Sequence, residues 1–403
     1  MVSEKIHLSR AGDAIRSLDV SSFENVDVLI TGGAGFFGVH LGRALHLIGA
    51  HVTLFDINLP IEDFSPEIKL VKGDIRNKQL VDELCRGKSC VFHMASYGMS
   101  GPEMLKPTDF IESINVGGTD NVIEACCRHN VPRLVYTSSI AVVFGGKPIE
   151  GATEETCPVL PLEEFTDDYS RTKCIAEKNV LAANGRKTEG GHVLHTCALR
   201  PPGLYGVGER RHFPRAVSAM EAGQLLFTIG GLEALVEFVH VDNIVNAHIL
   251  AGDALTQQKK QRSAGEVYFI TDGDPVNNWE FFRPLIEGLG YTFPRINLPF
   301  VLVFLIVLVL EWVHFLIKPV YHFQPFLTRT ELYQISVAHY FNIDKACNHL
   351  GYKPMKRDIK DIVQYYVRHG HRRKESKLWR FMVNVLIGAA FACIIMSFLP
   401  IAI

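Results

Sequence analysis

The strongest constraint on the fold is an alternation of short β-branched runs with helical stretches from residue 26 to residue 136. The runs read VDVLI, HVTLFDI, IKLVKGD, SCVFHMA and RLVYTSS, and the first is followed by the helical stretch FFGVHLGRALHLIG. Strands that alternate with helices form a parallel sheet that is covered on both faces. The sequence therefore predicts an α/β fold with a doubly wound Rossmann sheet.

A glycine-rich turn joins the first strand to the first helix. The strand at 28–30 runs into TGGAGFFG at 31–38. In such a turn Gly32 allows the tight bend, Gly35 lets a pyrophosphate approach the backbone, and Gly38 lets the helix pack closely on the strand. The helix N-terminus adds free N–H groups and the positive end of the helix dipole. The sequence thus predicts a dinucleotide site that includes Gly32, Gly35, Phe36, Phe37 and Gly38.

The second strand, HVTLFDI, ends near Asp56, about twenty residues beyond the glycines. At this position a carboxylate can accept hydrogen bonds from both hydroxyls of the adenosine ribose, and it would repel a 2′-phosphate. The cofactor that we expect from the sequence is therefore NAD rather than NADP.

A tyrosine and a lysine lie four residues apart in YSRTK, so on a helix Tyr169 and Lys173 share one face. The spacing alone decides nothing, because Tyr352 and Lys356 repeat it, although Pro354 interrupts that second pair. The surrounding motifs distinguish the first pair. The strand RLVYTSS brings two serines, at 138 and 139, to the carboxyl edge of the sheet, where ligands of doubly wound folds bind.

These motifs, in their order along the chain, resemble the extended short-chain dehydrogenases. The set comprises TGGAGFFG, Asp56, GDIR at 73–76, HMAS at 93–96, NVGGT at 115–119, YTSS, YSRTK and LRPPGLYGVG at 199–208. Within that group, SYGMSG, FVHVDN at 238–243 and the late apolar segment resemble the 3β-hydroxysteroid dehydrogenase family, most closely its 42E branch. The likeness covers residues 26–368.

The resemblance implies a site that oxidises a secondary alcohol. Tyr169 would be the general base that takes the hydroxyl proton. Lys173 would lower the pKa of the phenol and hold the hydroxyls of the nicotinamide ribose. Ser139 would hydrogen-bond the substrate oxygen, and Ser138 is the alternative if the strand register differs by one residue.

Further positions match the family pattern. Asp74 and Ile75, with Gly73, are expected to flank the adenine, because in the family that loop closes over the base. Single histidines, asparagines and arginines in such a fold are more often structural than catalytic, and we expect this of His93, Asn115, Arg200 and His240.

Two apolar segments stand apart from the enzyme fold. Residues 381–399 follow a basic flank at 371–380 and predict a transmembrane anchor, with the catalytic domain in the cytosol and the endoplasmic reticulum as the expected membrane. Residues 300–317 include Glu311 and His314 one turn apart, and a central carboxylate is costly in hydrocarbon. We expect this segment to lie in one leaflet of the lipid bilayer, with burial in the core as a close alternative.

The domain boundaries follow from these features. We expect a flexible N-terminal arm at 1–25, a mainly NAD-binding Rossmann domain at 26–195, and a smaller, interleaved and mainly substrate-binding region at 196–370. The 41 basic and 43 acidic residues nearly balance, so nucleic acid is not an expected partner. Nine cysteines without a C-x-x-C pair argue against a zinc site or a disulfide framework, and no metal is expected.

The leading hypothesis is oxidation of a secondary alcohol on a sterol or a related apolar lipid, with NAD as the hydride acceptor. A nucleotide-sugar epimerase is one alternative, whereas Ile140 and Ala141 after Ser139 replace the acidic pair of the dehydratases. A non-enzymatic, NAD-binding membrane scaffold is another. The resemblance implies a possible homodimer and leaves open whether a ketosteroid isomerase activity is present.

Overall fold

The computed structural model describes residues 20–60, 64–99, 101–231, 233–317 and 327–373. The strands are β1 Asp27–Thr31, β2 His51–Asp56, β3 Lys69–Lys72, β4 Cys90–His93, β5 Arg133–Thr137, β6 Ile149–Ala152, β7 His195–Arg200, β8 Gly203–Tyr205, β9 Phe227–Ile229, β10 Leu235–Val236, β11 Phe238–His240, β12 Val267–Phe269, β13 Val276–Asn277, β14 Ile296–Leu298 and β15 His339–Phe341.

The α-helices are α1 Phe36–Leu47, α2 Lys78–Cys85, α3 Thr108–Glu112, α4 Gly118–Arg128, α5 Asp168–Ala182, α6 His212–Glu221, α7 Val241–Ala254, α8 Asn278–Gly288, α9 Phe300–Ile317, α10 Arg329–Ser336, α11 Asp344–Leu350 and α12 Lys360–Arg368. Short 3₁₀ helices lie between them, and a π-helical turn at Ser113–Gly117 runs directly into α4.

The main sheet has seven strands in the order β12-β7-β5-β4-β1-β2-β3, and every pairing is parallel. The direction of winding reverses between β1 and β4, which pair with each other although two strands separate them in sequence. This reversal is the switch point at which doubly wound sheets bind ligands. The predicted Rossmann sheet is confirmed.

Alternate residues of β1 enter opposite halves of the core. Val28 and Ile30 belong to a cluster with residues of α1 and α7, whereas Leu29 belongs to a cluster with residues of α2, α4 and α5. All three side chains are fully buried. Because successive side chains of a strand point to opposite faces, helices must cover both faces of the sheet.

A second sheet of four short strands, in the order β13-β10-β15-β6, forms the smaller region. The predicted boundary between the two regions lies at residue 195. Strand β6 of the smaller region precedes that boundary, whereas β12 follows it and pairs with β7 in the main sheet. The two regions are therefore interleaved in sequence and are not consecutive segments.

Part of the predicted N-terminal arm is folded. Residues 21–23 form a 3₁₀ turn, and Val20 and Phe23 are buried, with the Phe23 ring 5.9 Å from that of Phe92. The expectation of a flexible arm is wrong for residues 20–25, because a single aromatic side chain anchors them to the core. Residues 1–19 lie outside the described residues.

The predicted anchor at 381–399 and most of its basic flank also lie outside the described residues. In the part of the chain that the structure describes, no helix is both long enough and apolar enough to cross a membrane.

Candidate active site

The glycine turn after β1 is shaped by close backbone contacts. Gly32 has a φ of +73°, and a Cβ there would lie 2.9 Å from the backbone nitrogen of Ala95. A Cβ on Gly38 would lie 2.4 Å from the carbonyl oxygen of Gly32. Gly35, by contrast, is exposed, and a Cβ there would come near only the same carbonyl oxygen, at 3.2 Å. The open side of the turn therefore lies over Gly35.

The N-terminus of α1 faces this open side. Its first helical hydrogen bond runs from the backbone nitrogen of Val39 to the carbonyl oxygen of Gly35, so the N–H groups of Phe36, Phe37 and Gly38 precede the helical ladder. Helix N-termini of this kind bind phosphate groups. The Phe37 side chain is buried against His248, with ring centroids 4.7 Å apart, so Phe37 can offer a phosphate only its backbone.

Asp56 lies beside the turn at the end of β2. Its Oδ2 accepts a hydrogen bond from the backbone nitrogen of Ala34 at 3.1 Å, and its Oδ1 accepts one from that of Asn58 at 3.0 Å. Each carboxylate oxygen has a second lone pair, and the group is partly exposed. This carboxylate can therefore also accept hydrogen bonds from two ribose hydroxyls.

The loop after β3 lies next to Asp56, because the backbone nitrogen of Gly73 donates to the Asp56 carbonyl oxygen at 2.8 Å. Asp74 binds the Arg76 guanidinium, with Nε 3.0 Å from both carboxylate oxygens, and this hydrogen bonding lowers the pKa of Asp74. Ile75 is buried, and its carbonyl oxygen accepts from Asn121 Nδ2 at 3.1 Å. The exposed glycine, the free N–H groups and the carboxylate together fit a dinucleotide with an unmodified ribose.

Helix α5 carries Tyr169 and Lys173 on one buried face, and Asp167 caps its N-terminus by accepting from the backbone nitrogen of Ser170 at 2.7 Å. Burial raises the pKa of Tyr169 to about 12. The positive charge of Arg211 lowers that pKa, and so do hydrogen bonds with Ser139 and Ser96. These three groups thus partly offset burial and the Asp167 carboxylate, which both raise the pKa of the phenol.

The structure distinguishes the two serines after β5. Ser139 is the serine that faces the Tyr169 phenol and lowers its pKa, and its Oγ accepts from the backbone nitrogen of Ala141 at 3.1 Å. Ser138 is buried, its backbone nitrogen donates to the Leu199 carbonyl oxygen, and its Oγ has no hydrogen-bond partner among the described residues. Ser139 is therefore the serine beside the Tyr169 phenol.

Lys173 is 1% exposed. Its Nζ donates to the Thr137 carbonyl oxygen and lies 4.1 Å from the centroid of the Tyr136 ring. Burial lowers the pKa of Lys173 to about 7, against the opposing attraction of Glu177. Near neutral pH this amine can therefore either carry or release a proton.

The four positions expected to be structural have protein partners. Arg200 binds Glu177 side-on at 2.9 and 2.6 Å, deep in the core. His93 bridges two threonine hydroxyls at 2.6 and 2.8 Å, and burial lowers its pKa to about 3, so the ring is neutral. His240 accepts from the Asp242 backbone nitrogen and caps α7.

Asn115 has a positioning role. It lies in the π-helical turn, and its Oδ1 accepts from the backbone nitrogen of Tyr97 at 2.8 Å. Its Nδ2 donates to Tyr97 O and to Thr172 Oγ1, both at 2.9 Å. The amide thereby ties the loop after β4 to the middle of α5, between Tyr169 and Lys173.

Sequence reasoning missed two residues of this site, Ser96 and Arg211. Ser96 follows β4 at the switch point, and this position in the motif HMAS could have indicated it. Arg211 stands in a charged loop that reads as a solvated surface, and only the fold brings it near the phenol. Tyr352 and Lys356 are excluded as an alternative to the pair of Tyr169 and Lys173. Tyr352 is buried outside any helix and donates to the Thr271 carbonyl oxygen.

Comparisons with known proteins show the family to which this chain is similar. The model of the 3-beta hydroxysteroid dehydrogenase/isomerase family matches residues 29–300. A Danio rerio protein, short-chain dehydrogenase/reductase family 42E member 1, is 49% identical over 376 residues, which is 93% of this chain and 97% of that protein. A Mus musculus sterol-4-alpha-carboxylate 3-dehydrogenase, decarboxylating, is 31% identical over 89% of this chain and 94% of its own length.

Among solved structures, the epimerase Mth375 from Methanothermobacter thermautotrophicus superposes with a TM-score of 0.67 at 19% identity, covering 90% of this chain and 97% of that one. A Streptomyces venezuelae dTDP-glucose 4,6-dehydratase crystallised with NAD has a TM-score of 0.63 at 22% identity, covering 84% of this chain and 96% of that one. At such identities the likeness establishes the fold.

Proposed function

This chain belongs to the 3-beta hydroxysteroid dehydrogenase/isomerase family, and we propose that it oxidises a secondary alcohol on a sterol or steroid-like lipid, with NAD as the hydride acceptor. One observation carries the proposal. Ser139 lies beside the Tyr169 phenol and lowers its pKa, and Lys173 lies one helical turn along α5 from Tyr169. The general base, the residue that orients the substrate and the lysine are thus assembled at the carboxyl edge of the sheet.

Each residue has a role in moving the proton. Ser139 holds the carbinol oxygen, and the Tyr169 phenolate takes the hydroxyl proton as the carbon becomes a carbonyl. NAD, when bound, accepts the hydride from that carbon. Lys173 is available to the nicotinamide ribose, because among the described residues its Nζ contacts the Thr137 carbonyl oxygen and the face of the Tyr136 ring.

The cofactor preference rests on Asp56. Its carboxylate lies where the adenosine ribose would be bound, beside the backbone nitrogen of Ala34 in the glycine turn. A 2′-phosphate placed there would face a carboxylate at short range, and close like charges are strongly unfavourable. We therefore assign NAD rather than NADP.

Helix α9 supports a lipid substrate, because its outward side is almost entirely apolar. Val301 is 65%, Val309 62% and Trp312 69% exposed, and the exposed set also includes Leu302, Leu305, Ile306, Leu310 and Val313. A contiguous apolar surface of this kind is typical of a site that binds protein or lipid. We assign it to one leaflet of a bilayer.

Glu311, whose charge would make burial in a bilayer costly, faces the protein. Glu311 accepts from the backbone nitrogen of Arg329 at 2.9 Å and from its Nε at 2.5 Å. Val307 and Val303, one and two turns earlier on the same side of α9, are buried. The helix therefore divides into a protein-facing side that contains the charge and an apolar side that can enter the leaflet.

Through Tyr333, the same helix is connected to the loop that follows Ser139. The ring of Tyr333 in α10 lies 6.1 Å from that of Phe300 and 6.0 Å from that of Phe304. Tyr333 also packs so closely on Gly146 that a Cβ there would lie 2.6 Å from the tyrosine ring. Gly146 follows Ser139 by seven residues. A lipid held at α9 would thus be delivered beside the reacting groups, and the anchor predicted at 381–399 would keep the enzyme on the endoplasmic reticulum, facing the cytosol.

The test is NADH production by the detergent-solubilised full chain across a panel of 3β-hydroxysteroids and UDP-sugars, with Tyr169→Phe as the control. Turnover of a hydroxysteroid that Tyr169→Phe abolishes supports the proposal. Turnover of a UDP-sugar alone would assign the chain to epimerase chemistry, and NAD binding without turnover would favour the scaffold.

A further inference from the structure

The Lys173 amine is held by the last residue of strand β5. Its Nζ donates to the carbonyl oxygen of Thr137 and lies 4.1 Å from the centroid of the Tyr136 ring. The pairing of β5 with β4 ends at Tyr136, whereas Thr137 still pairs with Leu199 of β7. The sheet therefore fixes Thr137 from one side only, and the contacts of its side chain matter for where the amine is held.

The Thr137 side chain contacts His248 of α7, on the opposite face of the sheet from α5. Thr137 Oγ1 lies 2.7 Å from His248 Nε2. Val135, two residues earlier on the same face of β5, belongs to the cluster with residues of α1 and α7, whereas Tyr136 belongs to the cluster with residues of α4 and α5. Lys173 thus reaches Thr137 from one face of the sheet, and His248 reaches it from the other.

The hydrogen bonds of His248 determine which atom donates to which. Its Nδ1 lies 2.9 Å from the Ile244 carbonyl oxygen, which can only accept, so Nδ1 carries the ring proton. The ring is fully buried, and burial lowers its pKa to about 3, so it is neutral near neutral pH. Nε2 therefore offers only a lone pair, and the Thr137 hydroxyl donates to it.

Packing holds the same ring in place. Its centroid lies 4.7 Å from that of the Phe37 ring, at an interplanar angle of 72°. Phe37 lies in the first turn of α1, whose N–H groups face the open side of the glycine turn. His248 thus contacts both the N-terminus of α1, which would bind the pyrophosphate of NAD, and the end of β5, which holds the amine.

We propose that His248 is a positioning residue for NAD, because its hydrogen bond with the Thr137 hydroxyl fixes the strand end whose carbonyl oxygen holds the Lys173 amine. The inference rests on the proposed function, which assigns the hydroxyls of the nicotinamide ribose to Lys173. A functional side chain keeps one geometry only when further hydrogen bonds support the groups that hold it. Without the acceptor on His248, a partly buried hydroxyl would lose its partner, and the strand end would shift to satisfy it.

The experiment compares the binding of NAD and of ADP to the detergent-solubilised full chain by isothermal titration calorimetry. ADP contains the adenosine and the pyrophosphate but lacks the nicotinamide ribose, so it does not reach Lys173. Thr137→Val keeps the backbone carbonyl and removes the hydroxyl, whereas His248→Phe keeps an aromatic ring against Phe37 and removes the acceptor. Each variant should bind NAD about tenfold more weakly and should bind ADP as the parent does.

Two further variants test the hydrogen bond itself. The double variant Thr137→Val with His248→Phe should bind NAD no more weakly than either single variant, because all three lack the same bond. His248→Gln places an amide oxygen as many bonds from Cβ as the histidine Nε2. It can therefore accept from Thr137 and should restore NAD binding.

The control is Thr196→Val, which removes another buried hydroxyl bond of the same length. Thr196 Oγ1 donates to the Val180 carbonyl oxygen at 2.7 Å, near the start of β7 and thus at the edge of the sheet opposite the site. This variant should bind both ligands as the parent does.

Lys173→Met is the reference and should show the same selective loss of NAD binding. If it does and neither Thr137→Val nor His248→Phe does, the inference about His248 is overturned and the proposed function stands. If Lys173→Met binds NAD as the parent does, the role assigned to Lys173 fails, and the inference fails with it. Equal weakening of NAD and ADP in Thr137→Val and His248→Phe would also overturn the inference, since it indicates only disturbed packing. No substrate is present, so the result does not depend on which alcohol is oxidised.

Discussion

Thr330 Oγ1 donates a hydrogen bond to Asp167 Oδ2 at 3.3 Å and thereby connects α10 to the N-cap of the catalytic helix α5. The preceding residue, Arg329, holds Glu311 of α9. Two successive residues of α10 therefore join the apolar helix to the first turn of the helix that carries Tyr169. Hydrogen bonds thus connect the helix proposed to contact lipid to the first turn of the helix that carries the Tyr169 phenol.

The first prediction concerns Asp167. Asp167→Ala removes the N-cap of α5 and should lower the free energy of unfolding by about 1–2 kcal/mol. It should also lower kcat/KM, because Tyr169 lies in the turn that loses its cap. Asn77→Ala is the matched control, since Asn77 caps α2 by accepting from the backbone nitrogen of Leu80 at 3.2 Å, and α2 does not carry Tyr169. Activity is compared at saturating NAD, because Asn77 follows the loop at 73–76 and its backbone nitrogen donates to the Asp74 carbonyl oxygen. Urea unfolding and steady-state kinetics measure both effects, and an equal loss of activity in the two variants would contradict the positioning role.

The second prediction concerns α9. Trp312 is 69% exposed on the apolar side, whereas the Trp279 indole donates to the Ile229 carbonyl oxygen at 2.9 Å. In vesicles that contain brominated acyl chains, fluorescence of the full chain should be quenched, and Trp312→Phe should remove a substantial part of the quenching.

Trp279→Phe is the control for that experiment and should leave the quenching intact. The third tryptophan, Trp379, lies outside the described residues and is present in both variants. Quenching that is unaffected by Trp312→Phe would show that α9 does not enter the leaflet.

The third prediction concerns the cofactor. Asp56→Asn keeps one acceptor for the Ala34 backbone nitrogen but removes the charge and one ribose contact. The KM for NAD should rise about tenfold, as expected for the loss of a hydrogen bond to a charged group, and the preference for NAD over NADP should fall. The control is Asp27→Asn, because Asp27 begins β1 whereas the glycine turn follows the other end of that strand. This substitution should change neither the KM for NAD nor the preference over NADP. An unchanged ratio of the two KM values in Asp56→Asn would contradict the assignment.

The fourth prediction concerns Lys173, whose pKa burial lowers from 10.5 to about 7. Between these two pH values the unfolded chain binds a proton that the folded chain does not, so this residue makes stability rise with pH across that window. Lys173→Met should abolish turnover. The free energy of unfolding of Lys173→Met should exceed that of the parent by a larger amount at pH 6 than at pH 9. Unfolding free energies of both proteins at the two pH values test this, and a pH-independent difference would refute it.

Much of the fold and of the site was predictable because its determinants are local. The strand, glycine turn and helix around Gly32 are contiguous, and Tyr169 and Lys173 are fixed by helical spacing. The sequence favoured Ser139 and kept Ser138 as the alternative, since one residue of strand register exchanges them. The position of Ser139 beside the Tyr169 phenol depends on tertiary structure, which no local pattern contains.

Long-range partners explain the remaining gaps. Arg211 Nη1 donates to Glu103 Oε2 at 3.1 Å, although the two residues are 108 positions apart in the chain. Nothing near either residue in the sequence indicates this partner. Glu311 made the apolar segment difficult to interpret, because its partner Arg329 lies beyond the end of that segment. Phe23 is one aromatic side chain in a polar stretch, which is too little for a pattern, although it is fully buried in the core.

The central claim, that Tyr169 drives hydride transfer from a secondary alcohol to NAD, is tested most directly with a hydroxysteroid that carries deuterium on its carbinol carbon. We predict that mass spectrometry detects deuterium in the reduced cofactor, and that Tyr169→Phe lowers the rate by about 10²-fold or more. Unlabelled reduced cofactor, or an undiminished rate in Tyr169→Phe, would contradict the claim.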